Sequence, residues 1–384
     1  MPDDIRFMNE VFRIVGGALR LDLDRVRNYT AFLADKLDKA GDHNSAGRLR
    51  KLLEQSDHTL RPAGSSVLAL PVDSESRFPL VERVRPLTSE PGLVLSPGQW
   101  DLVREFLSVA KSHAQFEIEG LATSMSFLMY GPPGTGKSRL ARYIAEELGL
   151  ELYVARLDGV VSSYLGSTSK NIRGLFDFAA SRPCVLFLDE FDAIAKMRGD
   201  TQELGELKRV VNSFIQNLDS LGRQTIILAA TNHEELLDRA IWRRFTYRIE
   251  LRYPTAKERE ELWAEFLRPI PSSRRELSLI ADISEGFSGS DIREAALRMH
   301  RQRVTSGKPS ELSDIFSALL DLASGEGNER RVLSTLRSAS PQLIVSILRK
   351  RNPKLYSHHA LARILGVSKA TAYRWSQSEE DRSG

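Results

Sequence analysis

The feature that most constrains the fold is a glycine-rich octapeptide, G-P-P-G-T-G-K-S, at residues 131–138. It follows an apolar run at residues 126–130 and precedes a segment with helical apolar spacing, Leu140, Ile144 and Leu148. This order predicts a strand, a tight loop and a helix, in which backbone N–H groups and the helix N-terminus surround a phosphate. Glycines permit the close approach because they carry no Cβ.

The positions of the loop have distinct expected roles. Lys137 is expected to reach the β- and γ-phosphates, and Ser138 is expected to ligate Mg²⁺. The cofactors that this motif predicts are therefore ATP and Mg²⁺. The predicted nucleotide-binding residues are Gly131, Pro132, Pro133, Gly134, Thr135, Gly136, Lys137, Ser138 and Arg139.

Length and composition indicate an ordinary soluble protein of two or three domains, with 384 residues of which 41% are hydrophobic and 27% charged. The chain has no long apolar run, and its N-terminus lacks the basic-then-apolar order of a signal peptide, so we expect a cytoplasmic protein without membrane contact. The single cysteine, Cys184, excludes an internal disulfide and a thiolate metal cage.

After the loop, strand-like and helix-like segments alternate. Such alternation predicts an α/β fold with a parallel sheet, helices on both faces and the ligand at the carboxyl ends of the strands. The predicted strands are 152–157, 185–188 and 225–229, and the predicted helices are 169–180 and 205–218.

Polar side chains end two of these strands. Asp189 and Glu190 follow an apolar strand about fifty residues after the loop. We expect Asp189 to hold Mg²⁺ through water and Glu190 to act as the general base on the attacking water. Asn232 follows the next strand; by itself such an Asn is most often a turn former, but in this order it is expected to hold the same water.

Five motifs, at residues 131–138, 189–194, 230–232, 237–245 and 286–292, stand in the order found in the classical AAA subgroup of AAA+ ATPases. The resemblance covers about residues 95–305. The R-R-F-x-x-R-I form that starts at Arg243 is similar to the katanin and spastin branch. Some bacterial AAA proteins encoded beside subtilisin-like proteases look similar through residues 1–305.

The resemblance implies a P-loop AAA+ module with a helical lid that assembles as a ring, and a homohexamer is expected because the chain has one such module. It makes Arg243 and Arg244 arginine fingers that reach a neighbour's nucleotide; the alternative is a surface basic pair. It also implies a pore loop, Tyr164, Leu165 and Gly166, that grips a polypeptide substrate. The alternative is a tyrosine packed on the neighbouring helix.

The C-terminal segment at residues 357–375 is similar to a helix-turn-helix, in which Leu361 and Leu365 face a core and Gly366 makes the turn. Residues 330–378 contain ten Lys or Arg and no Asp or Glu, which favours double-stranded DNA as the partner. Docking of a protein is the alternative. The predicted DNA-binding residues are Ser368, Lys369, Thr371, Tyr373 and Arg374.

The domain organisation predicted from these patterns has five parts. They are an N-terminal helical bundle at 1–60, a linker with a possible β-hairpin at 61–94, the AAA+ nucleotide-binding α/β domain at 95–252, a helical lid at 253–325 and a basic, all-α helix-turn-helix domain at 326–378. The bundle could be a packing element or a partner-binding module.

These patterns together predict a ring-forming ATPase that remodels or unfolds a protein substrate and is recruited to DNA. Two alternatives stay open, an ATP-controlled DNA-binding regulator and an ATPase partner of a separate protease.

Overall fold

The computed structural model describes residues 7–19, 23–55, 70–73, 79–84, 93–113, 116, 119, 124–157, 165–193, 204–220, 225–270, 272–307, 311–322 and 331–380. The chain divides into two compact units. The first lies within residues 1–88, 97–131 and 137–250, and the second within residues 89–96, 132–136 and 251–384.

The first unit is built on a sheet that has six strands in the described part of the chain, in the order β1-β3-β4-β5-β2-β6. The five strands from β2 through β6 all pair in parallel, which confirms the predicted α/β fold with a parallel sheet. The strands are β1 Glu82–Val84, β2 Ser126–Tyr130, β3 Glu151–Arg156, β4 Cys184–Asp189, β5 Ile226–Thr231 and β6 Tyr247–Glu250.

Strand β1 comes from the segment that the sequence predicts as a linker with a possible β-hairpin. It pairs antiparallel with β3 at the edge of the sheet, where Glu82 is opposite Val154. The two residues before it, Leu80 and Val81, are buried in the core of this unit. Burial of these apolar side chains fixes the segment on the sheet, a tertiary effect that a proline-rich composition conceals.

Helices cover the sheet and form the N-terminal region of the first unit. Asn28 of the N-terminal region donates a hydrogen bond from Nδ2 to the carbonyl of Ser181 at 3.2 Å, which ties this region to the residues before β4. The helices are α1 Met8–Leu19, α2 Leu23–Lys39, α3 His43–Gln55, α4 Pro97–Lys111, α5 Lys137–Leu148, α6 Leu165–Ala180, α7 Leu204–Ser220 and α8 Arg239–Trp242.

The second unit is helical in its described part, and one hydrophobic core runs through it from Leu262 to Ala372. The predicted boundary at residue 325 falls at residues 323–330, outside the described residues, so the division into lid and C-terminal domain stays a prediction. The helices are α9 Ala256–Phe266, α10 Arg274–Ile283, α11 Gly289–Ser306, α12 Leu312–Leu322, α13 Arg331–Arg337, α14 Pro341–Arg351, α15 His358–Leu365 and α16 Lys369–Glu380.

Among the helices described, none combines the length and apolar character that crossing a membrane requires. In the same residues, no group of three or more His, Cys, Asp or Glu side chains is arranged to hold a metal ion. Burial raises the pKa of Cys184 to about 12, so this thiol stays protonated and serves as an apolar side chain at the start of β4.

Candidate nucleotide-binding and hydrolysis site

The strand register brings the predicted site residues of the first unit to one edge of the sheet. Met129 of β2 pairs with Ala230 of β5, and Leu188 of β4 pairs with Ala229 of β5. The residues that follow these three strands therefore leave the sheet side by side, as expected for a ligand site at the carboxyl ends of parallel strands. They include Gly131, Glu190 and Asn232.

The loop after β2 has the backbone that its glycines predict. The φ angles of Gly131, Gly134 and Gly136 are +128°, +77° and +104°, a region that residues with a side chain rarely adopt. Thr135 closes the turn by donating from Oγ1 to the carbonyl of Pro132 at 2.8 Å. The loop is thus folded as a compact turn directly before α5, whose N-terminus favours an anion.

Lys137, the first residue of α5, is only 7% exposed. Its ammonium donates to the carbonyl of Gly131 at 2.7 Å, across the mouth of the loop. Burial lowers the pKa of Lys137 to about 8, against the opposing effect of the carboxylates of Asp189, Glu234 and Asp192. The ammonium is therefore short of compensating charge, and a polyphosphate would supply it.

Because of this pKa, ATP binding is expected to take up a proton at Lys137 above pH 8. At pH 8.5 a large part of the side chain is neutral in the free protein, and phosphate charge favours the ammonium form. Calorimetric titration in two buffers of different ionisation enthalpy measures this uptake, which should shrink at pH 7. Binding without proton exchange at pH 8.5 would contradict the proposed position of Lys137 beside the phosphates.

Two oxygen-bearing side chains that are suited to Mg²⁺ lie together at the loop. The hydroxyl of Ser138 donates to Oδ2 of Asp189 at 3.4 Å. A hydroxyl and a carboxylate are hard oxygen donors, of the kind that Mg²⁺ prefers when water and phosphate complete its shell. The donor set therefore fits the ion, and these two residues could hold it.

Glu190 has a backbone conformation that the sequence did not reveal. Its φ of +52° is the one positive value at a non-glycine residue in the described part of the chain. Such a conformation costs on the order of 1–3 kcal/mol and persists only where surrounding contacts impose it. Here the Glu190 N–H donates to Oδ1 of Asp189 at 3.0 Å, and the Phe191 N–H donates to the carbonyl of Ala230 at 2.8 Å. The left-handed backbone of Glu190 thus turns the chain out of the extended conformation directly after β4.

A buried hydrogen-bonded pair, also missed from the sequence, supports Asn232. Asp192 and Thr231 are 3% and 1% exposed, and the Thr231 hydroxyl donates to Oδ1 of Asp192 at 3.2 Å. The same hydroxyl accepts from the His233 N–H at 3.0 Å. Since Thr231 is bound on both sides, the backbone at the half-buried Asn232 is fixed.

The two predicted arginine fingers lie at the surface of the first unit, in different surroundings. Nε of Arg244 donates to Oδ1 of Asp219 at 2.8 Å, and this hydrogen bond is the largest cause of the raised pKa of Arg244. Arg243 is exposed at the end of α8 and makes no ion pair with a described residue. The two arginines thus differ: the Arg244 guanidinium is held by an acid of its own chain, whereas the Arg243 side chain is exposed to solvent.

Ser126, a residue to which the sequence analysis gave no role, anchors residues 243–246, which contain the two predicted arginine fingers and are called the finger segment below. Its hydroxyl donates to the carbonyl of Arg244 and accepts from the Thr246 N–H, both at 3.1 Å. Phe245 between them is 1% exposed and packs edge-on against Phe191, with 5.7 Å between ring centroids. The finger segment is therefore attached to the sheet at the start of β2.

The predicted pore loop lies only in part within the described residues. Tyr164 is outside the described residues, and Leu165 and Gly166 are the first residues of α6. The role of these three residues stays a prediction.

The predicted DNA-contacting residues lie on or just before α16, in the second unit. Gly366 has a φ of +64° and ends α15, and Ser368 caps α16 by accepting from the Thr371 N–H at 3.1 Å. Ala372 is fully buried, whereas Lys369, Tyr373 and Arg374 are exposed. The exposed face of α16 thus carries two cationic side chains and an aromatic ring.

Comparison with known proteins identifies the domain that contains the site. Residues 127–253 match the family model for the ATPase family associated with various cellular activities (AAA). The matched segment runs from β2 through β6, so it contains the loop, the acidic pair, Asn232 and both arginines. These residues form an AAA ATPase domain, of the classical type that includes katanin.

Three relatives illustrate this similarity. The chain is 40% identical over 216 residues to an uncharacterized AAA family ATPase, y4kL, of Sinorhizobium fredii, covering 56% of this chain and 64% of the relative. It is 34% identical over 216 residues to the mouse A-like 1 form of the katanin p60 ATPase-containing subunit, covering 52% and 44%. It is 35% identical over 173 residues to the Arabidopsis thaliana protein SUPPRESSOR OF K(+) TRANSPORT GROWTH DEFECT 1, covering 44% and 40%. The match therefore spans between two fifths and two thirds of each of these proteins.

Proposed function

We propose that the chain works as a ring-forming ATPase that uses ATP hydrolysis to remodel or unfold a protein substrate. The observation that carries the hydrolysis part of this proposal is the left-handed Glu190 at the end of a buried strand, beside Asp189, whose carboxylate accepts from the Ser138 hydroxyl. A strained acidic residue at such a position serves hydrolysis better than simple nucleotide binding, which needs no base.

Each side chain of the site has a part in the proposed reaction. Lys137 binds the β- and γ-phosphates, and Ser138 and Asp189 hold Mg²⁺, which neutralises phosphate charge when bound. Glu190 accepts the proton of the attacking water, while the Asn232 amide orients that water. The half-buried positions of Asp189 and Glu190 strengthen these electrostatic interactions relative to water.

The ring is proposed from the position of Arg243. An exposed guanidinium without an ion-pair partner among the described residues is suited to reach the nucleotide of a neighbouring protomer, where a planar cation stabilises charge on the transferred phosphoryl group. A homohexamer is proposed because the family model matches the chain once. The similarity of the domain to a protein named as a katanin p60 ATPase-containing subunit supports an assembly.

Remodelling of a polypeptide is tested with Tyr164→Ala. We expect ATP turnover to stay within about two-fold of wild type, because Tyr164 is not among the residues predicted to bind ATP, while unfolding of a tagged model substrate is lost. Leu165→Ala, in which the aromatic ring remains, is the matched control and should retain part of the unfolding activity. Full unfolding activity in Tyr164→Ala would contradict the proposed grip and favour a regulator in which the ring is structural.

Recruitment to double-stranded DNA is a second proposal, supported by the exposed face of α16. Lys369 and Arg374 can contact phosphates, and Tyr373, with 51% of its surface exposed, can contact sugar or base edges. Arg363 on the preceding helix is not available in the same way, because it forms an ion pair with Glu276. The proposed binding face is therefore centred on α16.

Replacing both Lys369 and Arg374 with Ala is expected to weaken duplex binding at least about ten-fold in 100 mM salt and to lower the salt slope by about 2. Fluorescence anisotropy with a labelled duplex over a salt series measures both quantities. The matched control replaces Arg301 and Arg303, exposed in α11, with Ala and removes the same charge from the same unit. If the Lys369/Arg374 variant and the Arg301/Arg303 control bound the duplex with equal affinity, α16 would not be the DNA-binding face, and protein docking would be the favoured role of the basic region.

A further inference from the structure

We propose that Arg351 and Tyr356, in the C-terminal helical region, are positioning residues for the ATP site. They hold one end of a connecting segment, residues 282–291, whose other end contacts the phosphate loop. The segment joins α10 to α11 within the second unit, which also contains loop residues 132–136. This inference rests on the proposed ATPase activity and goes beyond it, because it gives the C-terminal region a part in nucleotide binding.

At the loop end, the first turn of α11 lies directly against Gly134. The Ser290 N–H donates to the carbonyl of Gly134 at 3.1 Å. A Cβ on Gly134 would collide with the hydroxyl groups of both Ser288 and Ser290, which lie 3.0 Å from each other. Ser288 and Asp291 fix this turn by a reciprocal capping box. The position of the α11 N-terminus therefore determines the space and the hydrogen bond available to Gly134.

At the other end, two carboxylates of the segment are bound by the C-terminal region. Asp282 accepts from the Tyr356 hydroxyl at 2.5 Å and from Nε of Arg351 at 2.8 Å. Glu285 accepts from Nη2 of Arg351 at 2.6 Å. Tyr356 is fully buried, so loss of Asp282 would leave its hydroxyl as an unsatisfied buried group.

Between its ends the segment is held at successive positions. Arg259 donates from Nε to the carbonyl of Ala281 at 2.7 Å, and the Trp263 indole donates to the Ser284 hydroxyl at 3.0 Å. Gly286 turns the chain with a φ of +80°, and Phe287 is fully buried. A segment packed in this way moves as one piece, so a shift at Asp282 is carried to Ser288 instead of being absorbed.

The consequence concerns ATP affinity more than the chemical step. The backbone around Gly134 would bind phosphate equally in the ground state and in the transition state, and loss of such uniform binding raises KM with little change in kcat. Arg351 and Tyr356 contact the carboxylates of Asp282 and Glu285, so their proposed effect on ATP acts through the segment.

The test compares Tyr356→Phe and Arg351→Ala with Arg363→Ala. Tyr356→Phe keeps the ring in the core and removes only the hydrogen bond to Asp282. We expect KM for ATP to rise about five-fold in both variants, with kcat within about two-fold of wild type. Arg363→Ala also breaks an ion pair between the C-terminal region and the lid, but at Glu276, at the opposite end of α10. Its KM should equal that of wild type.

A double-mutant cycle between Tyr356→Phe and Ser288→Ala separates positioning from general destabilisation. If the segment links the two residues, the double variant raises KM by less than the product of the single effects. Independent, multiplying effects would overturn the inference, as would an unchanged KM in folded Tyr356→Phe. Absence of hydrolysis in the wild type would instead refute the proposed ATPase activity, so the two failures are distinguishable.

Discussion

Replacing Glu190 with Gln is expected to slow ATP hydrolysis by about 10²–10⁴-fold while ATP still binds. Gln has nearly the same shape, but its amide cannot accept the proton of the attacking water. The hydrogen bond from the backbone of residue 190 to Asp189 does not involve the Glu190 side chain and should persist. Phosphate release at saturating ATP measures the loss, and binding of a fluorescent ATP analogue shows that the pocket is intact.

Glu235→Gln is the matched control for this variant. Glu235 is an exposed acid shortly after β5, where its carboxylate accepts from His233. The control should hydrolyse ATP at nearly the rate of the wild type. Phosphate release by Glu190→Gln at the rate of the control would show that Glu190 is not the base.

Arg243→Ala is expected to lower turnover by about 10³-fold or more, because it removes the cation that stabilises charge on the transferred phosphoryl group. Arg244→Ala should have a smaller effect, since Arg244 already pairs with Asp219 in its own chain. Arg239→Ala, which removes an exposed arginine from α8, the short helix directly before Arg243, is the matched control and should remain active.

Mixed assemblies show whether Arg243 acts on a neighbour. In rings assembled from Glu190→Gln and Arg243→Ala protomers, some sites combine an intact Glu190 with an intact Arg243 from the adjacent protomer. Such rings should recover hydrolysis that neither variant has alone. Mixed rings that contain both variants and stay inactive would place the action of Arg243 elsewhere.

The main elements of the fold could be predicted because they depend on local patterns. The glycine loop between an apolar run and a helical stripe, and the alternation that follows it, correspond to β2, α5 and the parallel sheet. The pairing of strand β1 with β3 could not be predicted, although the sequence predicts a possible β-hairpin in its segment, because β3 lies about seventy residues further along the chain. The proline-rich surroundings of β1 favour a linker when read alone.

In the candidate site, too, the sequence predicts the residues that belong to local motifs but not the features that depend on tertiary contacts. Motif spacing identifies Lys137 and Glu190 as candidates. It contains no information on the left-handed backbone of Glu190 or on the lowered pKa of the buried Lys137 side chain. The Asp192–Thr231 hydrogen bond and the anchoring hydroxyl of Ser126 depend on strand register. The difference between Arg243 and Arg244 depends on where Asp219 lies in the folded unit, which two adjacent arginines cannot reveal.

The most direct test of the composite ATP site measures turnover per protomer across a range of protein concentrations, with the oligomeric state of each sample determined by sedimentation. If Arg243 completes the site of the adjacent protomer, turnover rises with the fraction of chains in rings and approaches zero in dilute, monomeric samples. A monomeric sample that hydrolyses ATP at the rate of the assembled ring would contradict the account.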